Sequence, residues 1–313
     1  MMFTRLVREE LAHTSPGPRP RRLAEASALL RFGGALEIRG GAGVAYVVET
    51  DVGAVARRLR TTLDRLLAVP SELEVQQPSG LRASTVYRLR LGTGVGRALE
   101  PLGIVGTDGR PVAGVSPVLT RSTDGAAAYV RGALMVAGSL SDPRRPPHLE
   151  IRAPGEPSAR DLVGLLERCG ASGARAGQHH GWRVTCKSGT AIGALLARVG
   201  AHTAFLRWDG ELLRRELRSA ANRAANADRA NVSRAVAASS RQAAAIERAM
   251  ASDGWTQVPA ELQAIALARL ASPEASLGEI GALMDPPVGK STVHRRLAAL
   301  TALLEDWDGP GLR

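Results

Sequence analysis

Aromatic side chains are scarce: Phe, Trp and Tyr make up 3% of the 313 residues. The hydrophobic fraction is still 44%, so any core must be built from Ala, Leu, Val and Ile. Trp182, Trp208, Trp255 and Trp307 are scattered, which leaves no stacking platform for single-stranded nucleic acid. Lysine occurs only at Lys187 and Lys290, so nearly all basic charge is arginine. Cys169 and Cys186 do not form a metal-like pair, and so few cysteines suit a reducing compartment. No apolar N-terminal run resembles a secretion signal, and no apolar segment reaches the roughly 18 residues that cross a bilayer. The expectation is a cytoplasmic protein without membrane contact.

Positive charge is in excess. The formal net charge is +11, which suits a polyanionic partner. Most of that excess lies in the N-terminal two thirds, whereas the stretch from Ser276 onward is slightly negative. The large N-terminal part either touches nucleic acid itself or carries a solubilising shell.

The sharpest motif lies between Ser276 and Leu304. Ser276 and Glu279 fit an S-x-x-E capping box, in which each side chain satisfies a free backbone donor of a helix's first turn. Leu277, Ile280, Gly281 and Met284 then fall on one helical face. Pro286 and Pro287 cannot continue that helix. A second helix is expected from Lys290, with Val293, Leu297, Leu300 and Leu304 on its inner face. Two short helices joined by a tight turn form the helix-turn-helix unit, whose second helix enters the major groove. Opposite the inner stripe stand Ser291, Arg295 and Ala298; Thr292, His294 and Arg296 flank them, and Lys290 sits at the N-terminal end. With Ser276, these are the candidate DNA-binding residues, and arginine is the best bidentate reader of guanine. An ordinary helical hairpin with a solvated charged face gives the same pattern, and Ser291 could serve as a cap only.

The preceding residues read as a duplicated α/β unit. Helix 23–32 ends at Gly33-Gly34 and leads to strands at 35–38 and 44–49, a helix that Asp51 can cap, and strands from Leu73 and Thr85. The pattern repeats as helix 125–137 ending at Gly138-Ser139, strand 148–152, helix 158–169, strands near Ala174 and at 182–186, and helix 190–199. Equal lengths point to two pseudo-symmetric halves. From Glu211 the chain reads as helical. An arginine-rich helix should run to Ala225, with Asn226 or Asp228 capping the next. The expected domains are an N-terminal segment (1–22), a duplicated domain (23–205, halves about 23–105 and 122–205), a helical linker (206–227) and an all-α domain (228–313). Arg214, Arg215, Arg218 and Arg223 crowd the linker as candidate phosphate contacts, or as a solvated face paired with Glu211 and Glu216.

These segments together resemble the WhiA family of bacterial transcriptional regulators. The likeness is carried by FTRLVREEL (3–11), AEASALLRFGGALEI (24–38), RGALMVAGSL (131–140), NRAANADRAN (222–231) and SLGEIGALMDPPVGKSTVHRRL (276–297). The resemblance implies an α+β fold: a duplicated, degenerate LAGLIDADG homing-endonuclease-like domain followed by a small helix-turn-helix domain. It also implies double-stranded DNA as partner, a role in sporulation and cell division control, and a WhiB-like regulator as partner in actinobacteria. An active enzyme of that fold needs an acid at the C-terminal end of each central helix, to hold a divalent cation against the scissile phosphates. The equivalent positions are Gly33 and Ala137, while the small packing residues Ala26, Ala28, Gly132 and Ala133 are retained. Glu25, Glu37, Asp124 and Asp142 lie off that corner. The expectation is therefore a regulator located with the nucleoid, with no catalytic residues, no metal and no cofactor. An active endonuclease, or an adaptor whose duplicated domain binds a protein, are the alternatives.

Other motifs are weak. Gly92, Gly94 and Gly96 miss the dinucleotide spacing, and Gly289-Lys290-Ser291 fails as a P-loop because Met284 stands where the first glycine belongs. His179-His180 would need a third ligand nearby to bind a metal.

Overall fold

A computed structural model describes residues 2–39, 43–78, 84–92 and 95–307, with backbone alone at 36–39, 43–45 and 305–307. Thr93 and Gly94 of the glycine run, and the Glu37 side chain, lie outside the described residues. The chain divides into two compact units, Met1–Glu216 and Leu217–Arg313.

The first unit opens with α1 (Met2–His13) and α2 (Arg19–Gly33). The strands β1 (Gly34–Arg39) and β2 (Gly43–Thr50), helix α3 (Gly53–Leu67), and strands β3 (Ser71–Gln76) and β4 (Val86–Leu91) complete the first half. Short helices α4 (Gly96–Leu99) and α5 (Pro117–Thr120) connect it to α6 (Thr123–Ala137). The second half repeats the plan with β5 (Gly138–Leu140), β6 (Leu149–Ala153), α7 (Glu156–Arg168), β7 (Arg175–Gln178), β8 (Trp182–Cys186) and α8 (Gly189–Val199). Both sheets are antiparallel and share one topology, β1-β2-β4-β3 and β5-β6-β8-β7. The fold is thus α+β with an internal duplication. Strand β5 was not evident in the sequence, because three residues beginning with glycine show no alternation.

The centre of the unit is the side-by-side packing of α2 and α6, the two helices that lead into β1 and β5. Small residues permit it: Ala26, Ala28 and Ala133 are fully buried. A Cβ on Gly132 would lie 2.4 Å from the Glu25 carbonyl oxygen, so only glycine lets the backbones come this close. One continuous apolar core runs from Phe3 to Trp208.

The first residues are more than a leading segment. Phe3, Val7 and Leu11 of α1 are buried. Thr4 exchanges two hydrogen bonds with the Leu140 backbone, and Arg8 donates to the Gly138 carbonyl oxygen and to Asp51. Asp51 therefore does not cap α3, whose N-cap is Val52, because the Arg8 guanidinium offers it a charged donor instead.

The helix α9 runs unbroken from His202 to Met250. The expected stop near Asn226 and Asp228 is absent. Those cap-type residues sit in an alanine-rich stretch, where high helix propensity carries the helix through. In the second unit α9 is followed by α10 (Ala260–Ala271), α11 (Leu277–Ala282) and α12 (Lys290–Trp307). Two apolar clusters hold them: Ile246, Ala249, Val258, Leu262, Ala266, Leu300 and Leu304, and then Ile265, Ile280, Val293 and Leu297.

Candidate nucleic-acid interface

The helix-turn-helix unit is built from local chemistry. Ser276 Oγ accepts from the Glu279 N–H at 3.3 Å, and the Glu279 carboxylate accepts from the Ser276 N–H at 2.7 Å, so both halves of the capping box form. These bonds hold the Glu279 carboxyl below its ordinary range. Ile280 and Gly281 are the buried face of α11. Gly281 lies against the turn: its carbonyl accepts from the Val288 N–H at 2.9 Å, and a Cβ there would meet the Val288 oxygen at 2.2 Å. That contact fixes how closely α11 approaches the start of α12. Val293, Leu297, Leu300 and Leu304 are all buried, as the α12 periodicity requires.

The candidate DNA-binding residues separate by position. Lys290, Ser291 and Arg295 are exposed and make no ion pair among the described residues. Arg296 is turned the other way and pairs with Glu261 at the start of α10, at 2.9 Å. Thr292 is half-buried. His294 and Ala298 are exposed but line a groove of about 650 Å³ between α12 and α9, whose far wall carries Val232 and Val236. Ser276 sits in the same groove with its hydroxyl engaged as a cap. The groove floor holds Arg269, 5% exposed, which donates to the Ala275 carbonyl oxygen at 2.8 Å; burial pushes its pKa below the usual arginine range. Sequence reasoning missed this wall of the groove, because nothing local relates residues of α9 to those of α12.

Of the four linker arginines, two are held inside the first unit. Arg214 pairs with Glu211 at 2.6 Å, and Arg215 donates to the carbonyl oxygens of Pro143 and Arg145. Arg218 and Arg223 are exposed; Arg223 donates to Ser219 Oγ.

The resemblance stated above implies that metal-binding acids would stand at the ends of the two central helices. Gly33 is the last residue of α2 and Ala137 the last of α6. Neither offers a donor atom, and a Cβ at Gly33 would already lie 2.8 Å from Val136 Cβ. The residues present therefore do not fit a divalent cation at this corner. The nearby acids are engaged elsewhere. Glu25 is buried between Arg58 and Arg131, Asp124 pairs with Arg21 and Arg198, and Asp142 accepts from the Arg144 N–H. Among the described residues no group of three His, Cys, Asp or Glu could hold a metal ion. His179 and His180 meet edge to face in the exposed connection between β7 and β8. No helix among the described residues is long and apolar enough to cross a membrane.

Three family models match the chain in order. They are the WhiA N-terminal LAGLIDADG-like domain at 19–105, the WhiA LAGLIDADG-like domain at 126–218 and the WhiA C-terminal HTH domain at 221–304. A probable cell division protein WhiA of Frankia casuarinae is 40% identical over 304 residues, covering 97% of this chain and 93% of that protein. One of Mycobacterium tuberculosis is 40% identical over 307 residues, with the same coverage. Among solved structures, a full-length WhiA from Thermatoga maritima superposes with a TM-score of 0.56 at 22% identity, covering 96% of this chain and 97% of that one. At that identity the superposition speaks to the fold alone.

Proposed function

Because the chain belongs to the WhiA family, we propose that it is a sequence-specific, double-stranded-DNA-binding transcriptional regulator of cell division and sporulation that cuts no DNA. The observation that carries the reading is the contrast between its two candidate sites. The helix-turn-helix is complete, with a capped first helix and a second helix that leaves Lys290, Ser291 and Arg295 free on its outer face. The endonuclease corner has Gly33 and Ala137 in place of carboxylates. Without them, nothing at the two helix ends can hold a cation against a phosphate, and the Lewis-acid step of phosphodiester hydrolysis has no support.

In this reading the N-terminal part of α12 lies in the major groove. Arg295 sits one turn in, at the depth from which a guanidinium reaches guanine O6 and N7. Ser291 and Lys290 contact the bases or phosphates beside it, and Thr292, His294, Arg296, Ala298 and Ser276 shape the rim. Arg218 adds a phosphate contact, whereas Arg223 already donates to Ser219 Oγ and Arg214 and Arg215 serve the first unit. The duplicated domain contributes most of the positive charge, which suits a polyanionic partner. A WhiB-like regulator as partner and a place at the nucleoid rest on the family resemblance; co-purification from cells and genome-wide mapping of bound sites test both.

Mapping the bound sites also tests the main reading. Recovery of a shared sequence, bound by purified protein and lost when Arg295 is replaced, supports it. Binding that is indifferent to sequence overturns it.

A further inference from the structure

The middle of α9 is bare. Every residue from 216 to 237 is exposed. A helix that buries nothing gains no stability from tertiary packing, so its surface invites a partner. Its composition is selective. Between 217 and 243 it carries Arg218, Arg223, Arg229, Arg234 and Arg241 against the single acid Asp228. Many of the remaining positions are alanine, which lets a backbone approach a ligand closely.

The unbroken course of α9 gives this surface a direction. Arg218, Asn222, Asn226, Arg229 and Ser233 follow one another at intervals of three or four residues, which places them on one stripe of the helix. The same stripe continues through Val236, Ser240 and Ala243, which line the groove facing His294 and Ala298 of α12. None of the five stripe residues lines that groove; the α9 residues that do, Val232, Ala235 and Ser239 among them, centre about a quarter turn away, so the stripe borders the groove that α12 closes. Arg218 and Arg229 make no hydrogen bond or ion pair among the described residues. Arg234 and Arg241 lie on a different stripe, about 120° around the helix at 100° per residue.

We propose that the stripe Arg218–Asn222–Asn226–Arg229–Ser233 is a second DNA-contacting surface that engages the same duplex as α12. Its occupant is double-stranded DNA. The arginines match phosphates or guanine edges, asparagine is the side chain that pairs bidentately with adenine, and the helix is of a width that the major groove admits. The sixteen residues from 218 to 233 span about 22 Å, enough to follow the duplex for roughly half a turn. This inference rests on the DNA-binding reading above and extends it to a surface outside the helix-turn-helix.

The test compares two double variants of the full-length protein, R218A/R229A and R234A/R241A, with wild type. Each removes two charges from the same exposed helix, and alanine preserves helicity, which circular dichroism checks. Binding to a fluorescent duplex carrying a mapped site is measured by anisotropy across a salt series. The expected result is a loss of about tenfold or more for R218A/R229A, with the slope of log affinity against log salt reduced by about two, since each neutralised phosphate contributes about 0.9. R234A/R241A should stay within about threefold of wild type. Equal losses in the two variants, or wild-type affinity in both, overturn the stripe. A wild-type protein that binds no duplex at all sinks the DNA-binding reading, and the stripe with it; wild-type binding that is lost only in R295A leaves that reading standing and removes the stripe.

Discussion

Arg131 of α6 donates from Nε to Glu25 Oε2 of α2 at 2.5 Å, inside the packing of the two central helices. Arg58 of α3 reaches the same carboxylate, so one buried acid ties together a helix from each half and the helix behind them. The Glu25 side chain is 2% exposed, and both guanidinium groups are largely buried. Neutralising the acid would strand two buried cations. Breaking one partner of such a buried network costs about 3–5 kcal/mol. Glu25→Gln should therefore lower the unfolding free energy of the first unit by that amount, read from its denaturant transition in the full-length protein. A loss below about 1 kcal/mol would mean that the pair is not the clamp described.

The Gly132 contact makes a sharper steric prediction. Gly132→Ala must push a Cβ against the Glu25 carbonyl, a backbone atom that cannot swing aside. The expected loss is about 1–3 kcal/mol, despite the gain in helix propensity. Gly164→Ala is the control: it is exposed on α7 with nothing within 4 Å of the added carbon. It should stabilise by about 0.5–1 kcal/mol. Thermal melts of the two variants should move in opposite directions.

Alkaline pH should destabilise the first unit. Burial pushes the Cys169 thiol from 9.0 up to about 11, and the Tyr46 and Tyr129 phenols from 10.0 up to about 12. Each folded value lies above the unfolded one, so the neutral form is the one the native state holds. The stability associated with these groups is complete below about pH 9, erodes as the unfolded chain ionises, and is gone as pH rises through the folded values. Denaturation midpoints should fall between pH 9 and 11. A flat profile over that window would show that these groups are not buried as described. Cys169 should likewise react with a thiol reagent at neutral pH only as fast as the unit opens.

Arg295→Ala should weaken binding to a mapped site by about 1–3 kcal/mol and relax base preference at one position. Arg296→Ala should weaken binding less, because Glu261 already engages that guanidinium. Titrations of both variants against matched and singly altered duplexes test this. Equal losses for the two would place Arg296 on the reading face as well.

What the sequence disclosed follows the range of the interactions involved. The capping box at Ser276 and Glu279 and the buried stripe of α12 involve residues three or four apart, and they read directly. The central helices were visible through their small residues and the glycines that close them. The close approach of Gly132 to Glu25 was not, since it joins positions in different halves. The continuity of α9 was hidden because Asn226 and Asp228 resemble caps, and only the alanine around them carries the helix through. The turning of His294 toward α9 and of Arg296 toward Glu261 depends on tertiary packing, which periodicity does not encode. So the seven candidate residues of α12 occupy four different environments.

The central claim is that this molecule grips a duplex and does not cut it. The direct measurement incubates purified full-length protein with a supercoiled plasmid bearing a mapped site, in Mg²⁺ and separately in Mn²⁺, and follows mobility shift and strand integrity in the same samples. The account predicts a saturating shift with the plasmid still supercoiled. Nicked or linear product that depends on the site and on the metal would contradict it.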